Sequence, residues 1–242
     1  MSRKVLIFSL GVILLSQTVS LKGADPGSGR KDQLALVLKA VQKEDDSGES
    51  QENPGFYDPA NRRALKDFIE RYPKTDEALH AEVWLAFAEG ITERSPDPVK
   101  QQRNRAARAE RMKQIAATTT NSATAKIAQL IRIGELFNVH DWAAFETEVR
   151  RAMSRIKEYE SEKDDNFLCF CKLNRTPASE LEPFYSWEIM VHECYLDHLN
   201  KALLLAEELQ RRFPDWSKRE GIGGNIELLK QGQSPYPKMP PF

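Results

Sequence analysis

The stretch ALKDFIERYPKTDEALHAEVWLAFAEGI, residues 64–91, decides the fold. Apolar residues recur three or four positions apart before Pro73 and again after it, which is typical of two amphipathic helices joined by a tight turn. Small residues along one strip let the two backbones approach closely, and Phe68, Trp84 and Phe87 fill the remaining space. The stretch therefore predicts an antiparallel helical hairpin.

Helical spacing continues through most of the chain outside this hairpin. Good helix formers dominate, glycine is scarce at 12 of 242 residues, and strand-like alternation is rare. Residues 183–213 carry the broadest apolar face and are expected to be the most buried segment, with a bend near Asn200. The short apolar run NFLCFCKL, residues 166–173, fits a strand or a buried turn of helix equally well. We predict an all-α fold in which helical hairpins stack as a solenoid or an irregular bundle.

The N-terminal residues have the layout of a secretory signal peptide. Arg3 and Lys4 precede an apolar run over residues 5–15, and small and polar residues follow. We expect residues 1–24 to be removed by cleavage near Ser20 to Ala24. The alternative is an uncleaved anchor, but the run has only about half of the ~20 residues that a membrane span needs. The mature chain is therefore expected to be periplasmic or secreted, without a stable membrane span.

The remaining chain divides into one helical domain and a tail. The domain is predicted over residues 25–230, with an acidic, turn-rich mobile loop at 45–59. Residues 231–242, QGQSPYPKMPPF, are predicted to form a loose polyproline segment. Basic and acidic residues number 35 and 36. This balance gives no reason to expect nucleic acid as a partner.

The pattern A-x3-F-x3-Y-P-x4-A-x2-A-x3-L over residues 64–85 resembles tetratricopeptide-repeat proteins, in particular the divergent repeats of bacterial envelope proteins. Residues 202–214 are similar to the end of another such unit. The resemblance implies a right-handed stack of helix pairs whose concave side holds a peptide or a partner protein. It favours an exported, non-enzymatic helical-repeat protein with a protein or peptide partner, in cell-envelope assembly.

One segment of the C-terminal half carries candidate chemistry. Glu188 and His192 are one helical turn apart, and Tyr195 continues their face. This arrangement is compatible with a buried polar cluster or with half of a metal site. His192 and His198 are six residues apart and point to nearly opposite sides, unlike the two histidines of a zinc protease helix. The alternative function is therefore an all-helical enzyme or metal-binding protein around Glu188 and His192.

No sequence motif predicts a cofactor, a metal ion or an activated nucleophile. The glycines near residue 222 follow a Trp-containing turn instead of a strand, so they do not indicate a phosphate loop. His80 is predicted to form a surface pair with Glu77. A further hypothesis is a dimerising subunit that uses the exposed side of an amphipathic helix over residues 142–159.

The three cysteines leave two interpretations open. In an oxidising compartment Cys194 can form a disulfide with Cys169 or with Cys171, which leaves one thiol over. Alternatively, all three are small buried apolar residues.

Overall fold

The computed structural model describes residues 26–43, 55–92 and 95–236. Within these ranges the chain forms twelve α-helices and no strand, which confirms the predicted all-α fold. The predicted signal peptide, residues 45–54 of the acidic loop and residues 237–242 of the tail lie outside the described residues. No helix in the described ranges is long and apolar enough to cross a membrane.

The helices follow one another with short connections. Two turns of 3-10 helix, Gly55–Tyr57 and Ala178–Glu180, precede α2 and α9. In chain order the helices are α1 Pro26–Val41, α2 Pro59–Arg71, α3 Asp76–Thr92, α4 Pro98–Thr118, α5 Ser122–Asn138, α6 Trp142–Ser154, α7 Ile156–Glu160, α8 Asp165–Leu173, α9 Leu181–Tyr195, α10 Leu199–Arg212, α11 Pro214–Arg219 and α12 Ile222–Lys230.

Polar side chains define where many of these helices begin. The α2–α3 hairpin forms as predicted around Pro73, and Thr75 Oγ1 accepts a hydrogen bond from the first turn of α3. Such caps satisfy backbone N–H groups that have no partner within the helix. The same role is played at α2, α4, α5, α6 and α8 by Asp58, Asp97, Asn121, Asp141 and Asp164, respectively.

The most buried helix is α5. The prediction that residues 183–213 form the most buried segment is therefore wrong. Helix α5 packs against α3, α4, α6 and α8. Even its charged side chains are buried: Glu135 accepts hydrogen bonds from Arg105 and Arg108, and Arg132 donates to the Ala109 carbonyl at 3.0 Å. Residues 183–213 instead form parts of α9 and α10, which are separated by a turn at 196–198.

Two other segments differ from the simplest expectation. The amphipathic helix predicted over residues 142–159 is interrupted at Arg155, which separates α6 from α7. The ambiguous run at 166–173 is helical and forms most of α8. Phe167 and Phe170 on this helix point into the core, which accounts for the apolar character of the run.

The turn Gly55–Tyr57 holds the end of α1 on the domain. The Phe56 side chain is buried, so this end of the predicted mobile loop is ordered. A Cβ atom on Gly55 would lie 1.9 Å from the Ala40 carbonyl oxygen. Only glycine permits so close an approach of two backbones.

The apolar core consists of two clusters, and α9 contributes to both. The larger cluster joins α1–α8 and includes Leu181 and Tyr185 from the first half of α9. The smaller cluster joins the second half of α9, through Met190 and Cys194, to α10, α11 and α12. Helix α9 therefore links the C-terminal helices to the rest of the domain.

Candidate functional site

The residues of the predicted polar cluster lie on α9 as expected, beginning with the buried Glu188. Its Oε2 atom has no hydrogen-bond partner within the described part of the chain. Burial raises the pKa of the Glu188 carboxyl to about 8, because the charged form loses its hydration. At pH 7 Glu188 is therefore mostly a neutral acid.

His192 and Tyr195 belong to an aromatic stack and not to a shared site with Glu188. The His192 ring lies 5.0 Å from the Trp142 ring and 5.6 Å from the Phe145 ring, measured between centroids. Tyr195 stacks on Trp142 at 5.8 Å. Burial lowers the pKa of His192. Among the described residues, no side-chain hydrogen bond or ion pair joins Glu188, His192 and Tyr195, and no group of three or more His, Cys, Asp or Glu could hold a metal ion.

The three cysteines are not joined by disulfide bonds in the structure. Cys171 belongs to the larger core cluster and Cys194 to the smaller one. Burial raises the pKa of the Cys171 thiol to about 12 and that of Cys194 to about 11. These two residues pack as small apolar side chains, and no bond joins Cys194 to Cys169 or Cys171 in this arrangement.

A cleft with a volume of about 1130 Å³ lies elsewhere, along α1. Its walls are one face of α1, the start of α3, the turn between α4 and α5, and α8. A hydrogen bond of 3.1 Å from Gln42 Nε2 to Asn166 Oδ1 joins the end of α1 to α8. We call this feature the α1 cleft; it is lined by His80 and by the charged residues Arg30, Lys31, Lys39, Asp76, Glu77 and Asp165.

The two sides of the α1 cleft carry opposite charges. Helix α1 supplies Arg30, Lys31 and Lys39, whereas the facing walls supply acidic residues. Arg30 and Glu77 approach to 3.7 Å across the cleft. Lys31, Lys39 and Asp165 form no ion pair with other described residues, so their charges remain available to a ligand.

The carboxylate of Asp76 is already hydrogen-bonded to other residues of the chain. Its carboxylate accepts hydrogen bonds from the Thr119 hydroxyl at 2.9 Å, from the Thr120 backbone N–H at 3.0 Å and from the Thr120 hydroxyl. The hydroxyl of Thr120 is the largest cause of the lowered pKa of Asp76. These bonds fix the turn between α4 and α5 against the start of α3.

His80 lies on the buried floor of the α1 cleft, and the predicted surface pair with Glu77 is wrong. The Trp84 indole N–H donates to His80 Nε2 at 3.2 Å, so the ring proton lies on Nδ1 and is donated to Thr124 Oγ1 at 2.7 Å. The Thr124 hydroxyl then donates to Asn121 Oδ1 at 3.0 Å. Burial lowers the pKa of His80, and both ring nitrogens are used in these bonds.

Neither family models, nor curated proteins, nor solved structures gave a match to this chain. The likeness to tetratricopeptide repeats therefore stays a resemblance, carried by the residues of the α2–α3 hairpin and of α10. Function has to be inferred from the geometry of the clefts.

Proposed function

We propose that the protein is a non-enzymatic helical protein that binds a peptide segment of a partner protein in the α1 cleft. The observation that carries this proposal is the pair of oppositely charged walls, on which Lys31, Lys39 and Asp165 have no described ionic partner. A peptide offers backbone donors and acceptors along both edges, and its own charges complement the two walls.

The state of the histidine in the cleft favours binding over acid–base chemistry. A general base needs a free nitrogen within reach of its substrate, and both nitrogens of His80 are engaged with Trp84 and Thr124. No side-chain hydrogen bond or ion pair joins Glu188 to His192, the basis of the alternative enzymatic or metal-binding hypothesis, within the described part of the chain. We further propose that this binding takes place in the periplasm or outside the cell, during cell-envelope assembly, on the strength of the signal-like residues 1–24 and the repeat-like hairpin.

A peptide-display selection tests the proposal. A random peptide library is selected against the full chain, and the affinities of the selected peptides are measured by calorimetry. A variant with Lys31→Glu and Lys39→Glu reverses the basic wall and is expected to bind them at least about tenfold more weakly.

The matched control is a variant with Lys113→Glu and Lys218→Glu, which changes charge equally at exposed positions that do not line the cleft. It should bind the selected peptides as the wild type does. The proposal fails if no peptide is selected, or if both double variants bind with the wild-type affinity.

A further inference from the structure

A second pocket, of about 450 Å³, lies between the end of α8, the start of α9 and α11. Its walls are aromatic: Phe184 and Trp187 come from α9, and Trp216 comes from α11. The Trp187 indole N–H donates to the Tyr236 hydroxyl at 2.8 Å, which fixes the orientation of that ring. We call it the tryptophan pocket; its charged lining residues are Arg175, Glu180, Arg219 and Glu220.

The charges around the tryptophan pocket are not fully paired. Arg219 contacts both Glu180 and Glu220, the latter at 3.0 Å, so two carboxylates share one guanidinium. One negative charge is therefore in excess on this side. Arg175 forms no ion pair with any other described residue and supplies one uncompensated positive charge. The rim thus presents one free charge of each sign next to an aromatic surface.

The backbone conformation at Arg175 fixes the position of this residue at the rim of the tryptophan pocket. Arg175 ends the turn after α8 in the left-handed conformation, with φ of 57°. The N–H groups of Arg175 and Thr176 bond back to the carbonyls of Lys172 and Cys171, both at 3.0 Å. Glycine is the residue that this helix ending favours. Lys74, His140 and Asp197 also have a positive φ at a helix end, so this conformation fixes where Arg175 lies at the rim and does not by itself mark a ligand site.

We propose that the tryptophan pocket binds a free aromatic amino acid. The ring of the ligand packs against Trp187 and Trp216. Its carboxylate pairs with Arg175, whose planar guanidinium suits a carboxylate, and its ammonium group pairs with the excess charge of Glu180 and Glu220. The volume lies within the range of ~300–1,000 Å³ typical of small-molecule sites. This site is separate from the α1 cleft and does not depend on the peptide-binding proposal.

Titration of the full chain with three ligands tests the charge pattern. L-phenylalanine carries both charges, N-acetyl-L-phenylalanine only the carboxylate, and L-phenylalanine amide only the ammonium group. Binding is followed by calorimetry and by the change in the protein's tryptophan fluorescence, because phenylalanine itself fluoresces little at those wavelengths.

We expect L-phenylalanine to bind at least about tenfold more tightly than either blocked form, because each blocked form leaves one pocket charge unpaired. Tighter binding of the N-acetyl form would instead indicate a site for the C-terminal residue of a peptide and would overturn the proposal.

Variants locate the site within the protein. Arg175→Gln should weaken L-phenylalanine binding at least tenfold and leave the affinity for the amide unchanged, a selective loss that general misfolding would not produce. Trp216→Leu should abolish binding of all three ligands.

Lys74→Gln is the matched control, since Lys74 is also a non-glycine residue with a positive φ, 65°, at the end of a helix. The proposal is wrong if L-phenylalanine produces no saturable signal, or if Arg175→Gln and Lys74→Gln behave alike. If the amino-acid site is disproved, the peptide-binding proposal still stands as long as the peptides selected by display bind in the α1 cleft.

Discussion

Replacing Glu188 by glutamine should stabilise the protein at alkaline pH. The Glu188 carboxyl is buried on α9, and one of its oxygens has no described partner. Glutamine has nearly the same shape but cannot ionise, so Glu188→Gln removes the energetic penalty of a buried charge without opening a cavity.

The magnitude follows from the pKa of the buried carboxyl. Folding raises the pKa of Glu188 from an ordinary 4.5 to about 8. Between these values the unfolded chain has lost the proton and the folded chain keeps it, so wild-type stability falls as the pH rises through this window. At about 1.36 kcal/mol per pH unit, the accumulated loss is roughly 4 kcal/mol at pH 8 and approaches roughly 5 kcal/mol above it. The Glu188→Gln variant does not suffer this loss.

Urea unfolding followed by circular dichroism between pH 5 and pH 9 measures the effect. The quantity of interest is the difference in unfolding free energy between Glu188→Gln and the wild type. His80 and His192, whose pKa values are lowered by burial, destabilise the fold as the pH falls below 6.5. Both proteins contain them, so their effect largely cancels in the difference.

The matched control is Glu70→Gln, at an exposed position of α2, which should keep the pH profile of the wild type. The difference between Glu188→Gln and the wild type should grow steadily from pH 5 to pH 8. A difference that stays constant across this range would show that Glu188 is solvated, and it would refute the packing described for α9.

Three further changes test local features by chemical denaturation. Gly55→Ala should lower the unfolding free energy by about 1–3 kcal/mol, because the new methyl group would meet the Ala40 carbonyl oxygen at 1.9 Å. Lys74→Gly should raise it by about 0.5–1 kcal/mol, because φ is 65° at this position and glycine adopts that conformation without strain. Tyr159→Phe should lower it by about 1–3 kcal/mol, because the buried Gln129 Oε1 would lose the hydroxyl that bonds it at 2.6 Å.

Each of these changes has a control within the chain. Gly29→Ala has no atom within 4 Å of the new methyl group and should not destabilise the protein. Lys74→Ala keeps the strained φ and should not reproduce the gain from glycine. Tyr72→Phe removes an exposed hydrogen bond to Gln33 and should cost less than Tyr159→Phe. Equal effects of a test variant and its control would contradict the structural reason given for it.

Local chemical signals made many helix boundaries predictable from the sequence. Asp58 followed by Pro59 marks the start of α2, and Pro73 marks the turn that ends the first arm of the hairpin. The last helix, Ile222–Lys230, follows from its flanking glycine and its apolar spacing. These features depend on neighbours within a few residues, so a single sequence contains enough information to place them.

The central position of α5 could not be predicted in this way. Lys126, Arg132 and Glu135 resemble a solvent-exposed face when the helix is considered alone. In the structure they pair with residues from other parts of the chain: Arg132, for example, lies 3.3 Å from the Glu148 carboxylate and donates a hydrogen bond to the Ala109 carbonyl at 3.0 Å. Burial of such charges depends on tertiary contacts, which the spacing of residues does not reveal.

The candidate sites were predicted less well than the fold. Helical spacing correctly placed Glu188 and His192 on one helix, but it did not reveal that Trp142 and Phe145 from α6 pack around His192. The α1 cleft requires α1 and α8, which are more than a hundred residues apart in the sequence, to lie side by side. No motif marks that approach.

The division of the core into two clusters has a consequence for partial unfolding. The smaller cluster joins only the second half of α9 to α10, α11 and α12, so we expect these segments to open together while the cluster around α5 stays closed. Such a unit exchanges its amide protons as a cooperative group, at a lower free energy than the rest of the chain. Each opening would also expose the Cys194 thiol to solvent, and alkylation of this thiol would therefore report the opening of the C-terminal helices.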